Sequence, residues 1–154
     1  MNTKDDHAHV VNPFLIYIGL GLGAVFLQKL LPLSFLAQPG ASIVGVAVMI
    51  VSFVFGLPAV RNMLIAKTTP NPHRPTTTLV FSGPYRFSRN PMYIGLTLLY
   101  IGLVTYLQLP WGLILLPIVI WLITVWVIVP EEKYLEQKFG AEYLNYKSIV
   151  RRWI

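Results

Sequence analysis

Two short segments of this chain carry residue types that can do chemistry together. The first is Tyr85-Arg86-Phe87-Ser88-Arg89-Asn90-Pro91-Met92-Tyr93-Ile94-Gly95. Asn90-Pro91 reads as the N-cap and first position of a helix. A helix start offers free backbone N–H groups and a favourable dipole to an anion. Arg86 and Arg89 stand just outside it. On charge alone these arginines read as boundary charges of a membrane protein. Three aromatics and a glycine beside them turn the same residues into an anion site with stacking faces, which suits a cofactor. The second segment is Pro130-Glu131-Glu132-Lys133. Proline and acids in a first turn are also ordinary helix-start chemistry.

Downstream, Leu135, Phe139, Tyr143, Tyr146, Val150 and Trp153 recur every three or four residues and share one helical face. Gly140 is placed to interrupt that helix. Lys133, Lys138, Lys147, Arg151 and Arg152 supply charge for the polar surface. One reading is an interfacial helix lying on headgroups; the other is a lid whose aromatic face closes over a site.

Other chemistry is poorly represented. The chain has no cysteine, which excludes disulfides, thiolate nucleophiles and cysteine-bound metals. His7, His9 and His73 are isolated, so no metal site is expected. No carboxylate falls inside an apolar run, so a proton or ion pathway has no relay. The net charge of +6 lies in short stretches between apolar runs. That distribution marks topology and attraction to lipid headgroups, not nucleic acid.

The elements that must position these residues are membrane helices. Hydrophobic residues make up 55% of the chain and charged residues 12%, about half the charge of a soluble domain. Four stretches have the roughly 20 apolar residues a span needs, at about 13–31, 41–60, 91–109 and 111–129. The last two share one uncharged run, with a tight turn at Gln108-Leu109-Pro110. The expected fold is therefore an all-α integral membrane protein, a single domain over 1–154. It has four transmembrane helices, a cytoplasmic loop over 61–90 and a C-terminal amphipathic segment over 130–154. The first apolar run lacks the pattern of a cleavable signal. Four spans put both termini on one side, together with every lysine and arginine except Lys29. That asymmetry makes the charged side cytoplasmic. Gly19 and Gly23, Ala41 and Gly45, and Ser52 and Gly56 form small-residue faces for helix packing. Gly19-x-Gly21-x-Gly23 lies within a span with no strand before it, and is packing, not a nucleotide loop.

In order along the chain, Gly83-Pro84-Tyr85-Arg86, Arg89-Asn90-Pro91-Met92-Tyr93-Ile94-Gly95, Glu131-Glu132, Phe139-Gly140-x-x-Tyr143-x-x-Tyr146 and Val150-Arg151-Arg152-Trp153 form a set. That set resembles the isoprenylcysteine carboxyl methyltransferases and the related phospholipid N-methyltransferases, over roughly residue 68 to the C-terminus. The resemblance implies an S-adenosylmethionine-dependent methyltransferase with its cofactor at the cytoplasmic face and a lipophilic acceptor arriving from the bilayer. It implies a cofactor site formed by the 61–90 loop and the 130–154 segment, with contacts from Tyr85, Arg89, Asn90, Tyr93, Gly95, Glu131, Glu132 and Tyr146. Arg89 and Glu132 are the residues expected to matter most to catalysis. Arg89 and the helix start would hold the cofactor's carboxylate, a glutamate its ribose or ammonium, and the tyrosines its adenine or sulfonium. Asn90 stands where better-known members have histidine; it can hydrogen-bond the cofactor but cannot titrate near pH 7. The sequence displays no committed base, which tilts the expected acceptor toward a carboxylate over an amine. A non-enzymatic membrane scaffold or partner subunit is the alternative. A bacterial inner membrane is the expected location.

Overall fold

The computed structural model describes residues 10–35, 37–69 and 75–154. His7, His9, His73 and Arg74 lie outside them. The described helices are α1 (Pro13–Leu30), α2 (Gly40–Ile65), α3 (Pro91–Tyr106), α4 (Pro110–Ile114), α5 (Leu116–Ile123), α6 (Val129–Phe139) and α7 (Ala141–Ile149). A 3-10 turn covers Gly83–Arg86, and a π-helical segment, Thr124–Ile128, joins α5 to α6.

Helices α1 and α2 are long and apolar enough to cross a membrane. Most of their surface is exposed: Phe14, Ile18, Leu22 and Phe26 on α1, and Ile43, Ile50, Val54 and Leu57 on α2, are all more than half accessible. Such surfaces suit lipid and would be untenable in water. Among the described residues, these two helices have full span length. The 16 residues of α3 reach only about 24 Å at 1.5 Å per residue, because the turn after Tyr106 consumes the end of the expected run. The expected fourth span is not one regular helix either. Pro117 has no N–H to give and breaks the helix between α4 and α5. Pro130 likewise leaves the Trp126 carbonyl without its i+4 donor. The π-helical segment surrounds that carbonyl, and the Val11 N–H donates to it at 3.3 Å.

Two helices meet most closely. At Gly45 an added Cβ would lie 2.6 Å from the Tyr106 nitrogen, and at Gly95 one would lie 2.9 Å from Gly56 Cα. This antiparallel seam between α2 and α3 is the expected small-residue packing at Gly45 and Gly56. The same expectation fails for α1: nothing lies within 4 Å of a Cβ at Gly19 or Gly23. Instead α1 packs through Ile16 and Tyr17 into a core with Tyr93, Tyr100, Val104, Val119, Ile123, Val127 and Ile128. The polar ends of its aromatics are satisfied: Tyr17 Oη bonds Thr97 Oγ1 at 2.9 Å and Tyr100 Oη donates to the Gly112 carbonyl at 3.1 Å.

One end of the bundle is apolar and aromatic, with the Trp111 indole donating to the Leu31 carbonyl. The other end gathers Asn12, Asn62, the 3-10 turn, Arg89 and both glutamates. The chemistry-bearing segments are therefore neighbours in space.

Candidate cofactor site at the polar end of the bundle

The start of α3 differs in detail from a simple capped helix. Asn90 occupies the N-cap position, but its side chain caps nothing. Its amide donates instead to the Arg152 carbonyl at 3.0 Å, and Ser88 Oγ donates to the same carbonyl at 3.1 Å. The Arg89 N–H donates to the Arg151 carbonyl at 3.0 Å. These three bonds strap residues 151–152 across the base of α3. Trp153 extends the strap by donating to Thr124 Oγ1 at 3.3 Å.

The glutamates are not helix-start acids. Helix α6 continues directly from the π-helical segment, with Ile128 and Val129 already helical. Consecutive residues on a helix diverge by about 100°, and each glutamate accordingly meets a different partner. Glu132 is buried, and receives a 2.9 Å ion pair from Arg89 Nη2 and a 2.8 Å pair from Arg152 Nη2. Arg152 Nε adds bonds to both carboxylate oxygens. Arg152 is thus turned inward and is not part of the charged outer surface expected from the sequence. Its hydrogen bonding to Glu132 raises its pKa further. Glu131 receives a 2.9 Å bond from Tyr93 Oη. Burial, opposed by that bond and aided by the neighbouring Glu132 charge, pushes Glu131 up to about 7.

Arg89 is the centre of the arrangement. Its side chain is 7% exposed, and its Nη1 donates to the Lys147 carbonyl at 3.1 Å. Its Nε is buried with no hydrogen-bond partner, and guanidinium donors in such a position accept a further anion readily. Around it, Tyr146 Oη donates to the Tyr85 carbonyl at 2.6 Å, and the Tyr146 ring meets Phe81 edge-on at 4.9 Å and Tyr143 at 6.1 Å. Burial raises the pKa of Tyr85, Tyr143 and Tyr146, so all three present neutral phenols. The interrupted amphipathic segment explains their placement. Gly140, at φ +54°, ends α6, and α7 then folds Tyr143 and Tyr146 back over the site.

A cavity of about 60 Å³ lies among these residues. Tyr85, Arg89, Asn90, Tyr93, Glu131, Glu132 and Tyr146 all line it, so seven of the eight residues expected from the sequence come together. Gly95 does not. It packs on Gly56 across the α2–α3 seam, where any side chain would force the helices apart. The residues missed are Tyr143, Met63, Leu135 and the wall contributed by Thr76, Thr78, Leu79 and Val80, together with the strap residues Ser88 and Arg152. Tyr143 and Leu135 were visible on the aromatic face of the expected lid but not singled out, and Arg152 was assigned to the polar surface. The loop wall lies in the 61–90 loop expected at the cofactor site, but no residue type in it singled out Thr76, Thr78, Leu79 or Val80.

A second cavity, of about 540 Å³, adjoins the first. It runs between α1, α2 and α3 and is lined mainly by Pro13, Phe53, Leu57, Val60, Leu96 and Leu99. Met92 and Tyr93 line both cavities. The donor set fits S-adenosylmethionine in kind: an unpartnered guanidinium nitrogen for a carboxylate, a carboxylate for a cationic portion and aromatic faces for a base. The volume of this first cavity, about 60 Å³, falls below the roughly 300–1,000 Å³ typical of small-molecule sites.

Known proteins resemble this chain over part of its length. Protein-S-isoprenylcysteine O-methyltransferase of Saccharomyces cerevisiae is 40% identical over 72 residues, 47% of this chain and 30% of the yeast protein. An uncharacterised protein of Haemophilus influenzae is 44% identical over 66 residues, 41% of this chain and 100% of that protein. The chain thus spans less than a third of the yeast enzyme it matches, and all of the bacterial protein. The sequence pattern of the phospholipid methyltransferase family matches residues 41–142, from the start of α2 to the start of α7. With two thirds of its length inside that pattern, this chain belongs to the phospholipid methyltransferase family.

Proposed function

We propose that the protein transfers the methyl group of S-adenosylmethionine to a lipophilic acceptor held in the membrane. The observation that carries this is the buried guanidinium of Arg89. Its Nε is unpartnered, and Arg89 lines a tyrosine-lined cavity that shares Met92 and Tyr93 with an apolar groove between helices. A scaffold has no use for a buried cation held ready beside a groove.

Arg89 would hold the carboxylate of the cofactor. Glu132 and Arg152 fix the guanidinium's orientation, so Glu132 acts as a positioning residue. Tyr85, Tyr143 and Tyr146 would enclose the adenine, and Glu131 supplies negative charge near the cationic sulfur. When bound, S-adenosylmethionine supplies a methyl carbon that is already electrophilic. The protein's contribution is then mostly alignment. The groove would admit the acceptor sideways from the bilayer, its reactive end meeting Tyr93 and Met92. Exclusion of water follows from the strap and α7 closing the cytoplasmic side.

The same reading gives the membrane disposition. Helix α3 and the helical stretch over 110–128 complete the four crossings proposed for the chain, and both termini face the cytoplasm with the cationic residues. A bacterial inner membrane remains the proposed location.

Isothermal titration of the detergent-solubilised protein with S-adenosylmethionine tests the proposal. Saturable binding is expected, weakened at least tenfold by Arg89→Lys, which keeps the charge but loses the planar fork. Wild-type protein with intact helical circular dichroism that binds nothing, even with membrane lipids added, would overturn it.

A further inference from the structure

A third cavity, of about 360 Å³, lies between the 3-10 turn and α7, apart from the two already described. Glu142, Asn145, Tyr146 and Ile149 recur every three or four residues, so one face of α7 lines it. Phe81, Arg86 and Val150 complete the lining. Tyr146 is the wall it shares with the cofactor cavity. That wall is pinned by the bond to the Tyr85 carbonyl and the edge-on contact with Phe81. The cleft is therefore preformed, and its volume falls within the roughly 300–1,000 Å³ of small-molecule sites.

Its surroundings are those of a membrane surface. Phe87, next to Arg86, and Ile149 are each 74% exposed, more than any large apolar residue of the lipid-facing helices α1 and α2. Bonds from Ser88 and Arg89 to residues 151–152 hold the turn beside the end of α7, so the two side chains belong to one edge of the molecule. Phe87 stands just ahead of α3, and apolar residues at the boundary of a span seat among headgroups. The charge also matches. Arg61, Lys67, Arg86, Lys133 and Arg151 are exposed cations, whereas Glu142 is the one exposed acid among the described residues. Across the cleft, the Arg86 guanidinium and the Glu142 carboxylate engage neither each other nor any other described residue. Glu142 lies in the first turn of α7, where the helix dipole offsets its charge.

We infer that this cleft binds an anionic phospholipid of the leaflet at the polar end, its phosphate on Arg86 and its glycerol and first chain carbons against Phe87, Ile149 and Val150. The inference rests on α3 being a membrane crossing and is independent of methyl transfer. A guanidinium meets phosphate oxygens in a two-bonded fork, and Arg86, unlike Arg89 and Arg152, has no carboxylate holding it. The Asn145 amide supplies a further donor. Glu142 opposes a headgroup with additional negative charge, so a singly charged lipid fits best. Helix α7 then has two tasks: Tyr143 closes the cofactor side, and Ile149 seats the segment on the membrane.

The experiment titrates the full chain in detergent with dioleoyl phosphatidylglycerol, dioleoyl phosphatidylcholine and glycerol phosphate, and counts bound molecules by native mass spectrometry. One phosphatidylglycerol should bind saturably, about fivefold tighter than phosphatidylcholine, the worth of one basic residue at an anionic surface. Arg86→Gln should abolish that preference. Lys133→Gln, which removes an equal charge outside the cleft, should leave most of it. Both positions are exposed, so neither change threatens the fold. Ile149→Ser should weaken both lipids, and Glu142→Gln should tighten phosphatidylglycerol. Equal losses in Arg86→Gln and Lys133→Gln would reduce the effect to diffuse headgroup attraction and overturn the inference. So would glycerol phosphate binding as tightly as the lipid, phosphatidylcholine matching phosphatidylglycerol, or no saturable lipid binding at all.

Discussion

Glu132→Ala is the most informative single change in this protein. Glu132 is 4% exposed, and its partner Arg89 is 7% exposed, while Arg152 keeps 36% of its side chain accessible. Removing the carboxylate leaves the Arg89 cation buried with only a backbone carbonyl for company. Breaking a buried pair in this way costs about 3–5 kcal/mol. For a chain of this size that corresponds to a fall of roughly 10 °C in Tm. Arg152→Ala leaves the Arg89–Glu132 pair intact and removes a partly solvated ion pair, so it should cost about 1 kcal/mol or less. The double variant Arg89→Met with Glu132→Leu removes both buried charges together. It should regain most of the stability lost by Glu132→Ala while failing to bind cofactor. Thermal unfolding in one detergent, followed by circular dichroism, ranks the variants. Glu132→Ala no less stable than Arg152→Ala, or a double variant showing additive losses, would refute the view of Arg89 as a buried cation stabilised by Glu132.

Three further outcomes follow from the same geometry. Glu131 is raised from 4.5 to about 7 in the folded protein, so the folded state binds the proton more tightly. Its stability relative to Glu131→Gln should be highest below pH 4.5 and decline through pH 7, by roughly 3 kcal/mol at 1.36 kcal/mol per pH unit, measured by denaturation across that range. Gly45→Ala places a methyl 2.6 Å from the Tyr106 backbone and should destabilise by about 1–3 kcal/mol, whereas Gly23→Ala meets nothing within 4 Å and should be neutral or gain up to about 1 kcal/mol of helix propensity; thermal unfolding distinguishes them. Asn90→Ala removes the bond to the Arg152 carbonyl, worth about 0.5–1.5 kcal/mol, and should weaken cofactor binding in calorimetry, while Asn90→His, which retains a donor, should preserve it.

Much of the site was legible because its residues are of types that lipid does not tolerate without reason. Arg89, Glu131 and Glu132 flank an uncharged run, and the run's own length sets them at the same end of the bundle. What the sequence withheld was direction. Arg152 and Arg151 look alike in a string, yet Arg152 reaches inward to Glu132 and Arg151 offers only its carbonyl to Arg89. Gly95 sits within the recognisable motif, but its neighbour is Gly56, a partner far away in sequence that only the helix crossing reveals. Hydropathy is blind to missing N–H groups, so the stretch expected as one regular helix is α4, α5 and a π-helical segment in the structure. Pro117 interrupts an apolar run that composition alone reads as continuous, and Pro130 ends it. The Gly140 break, by contrast, was readable, since glycine past an apolar-periodic stretch is an ordinary helix stop.

On the proposed methyl-transfer reading, the groove between α1, α2 and α3 changes how substrate concentration must be counted. A molecule that enters it never passes through bulk water, so its supply is a mole fraction of the lipid phase and its search is two-dimensional. KM then has units of surface composition. Adding inert lipid or detergent at fixed total substrate would slow the protein by dilution within the membrane, with no change in any molar concentration. A crowded, acceptor-rich bilayer would in turn hold a weakly binding groove close to saturation.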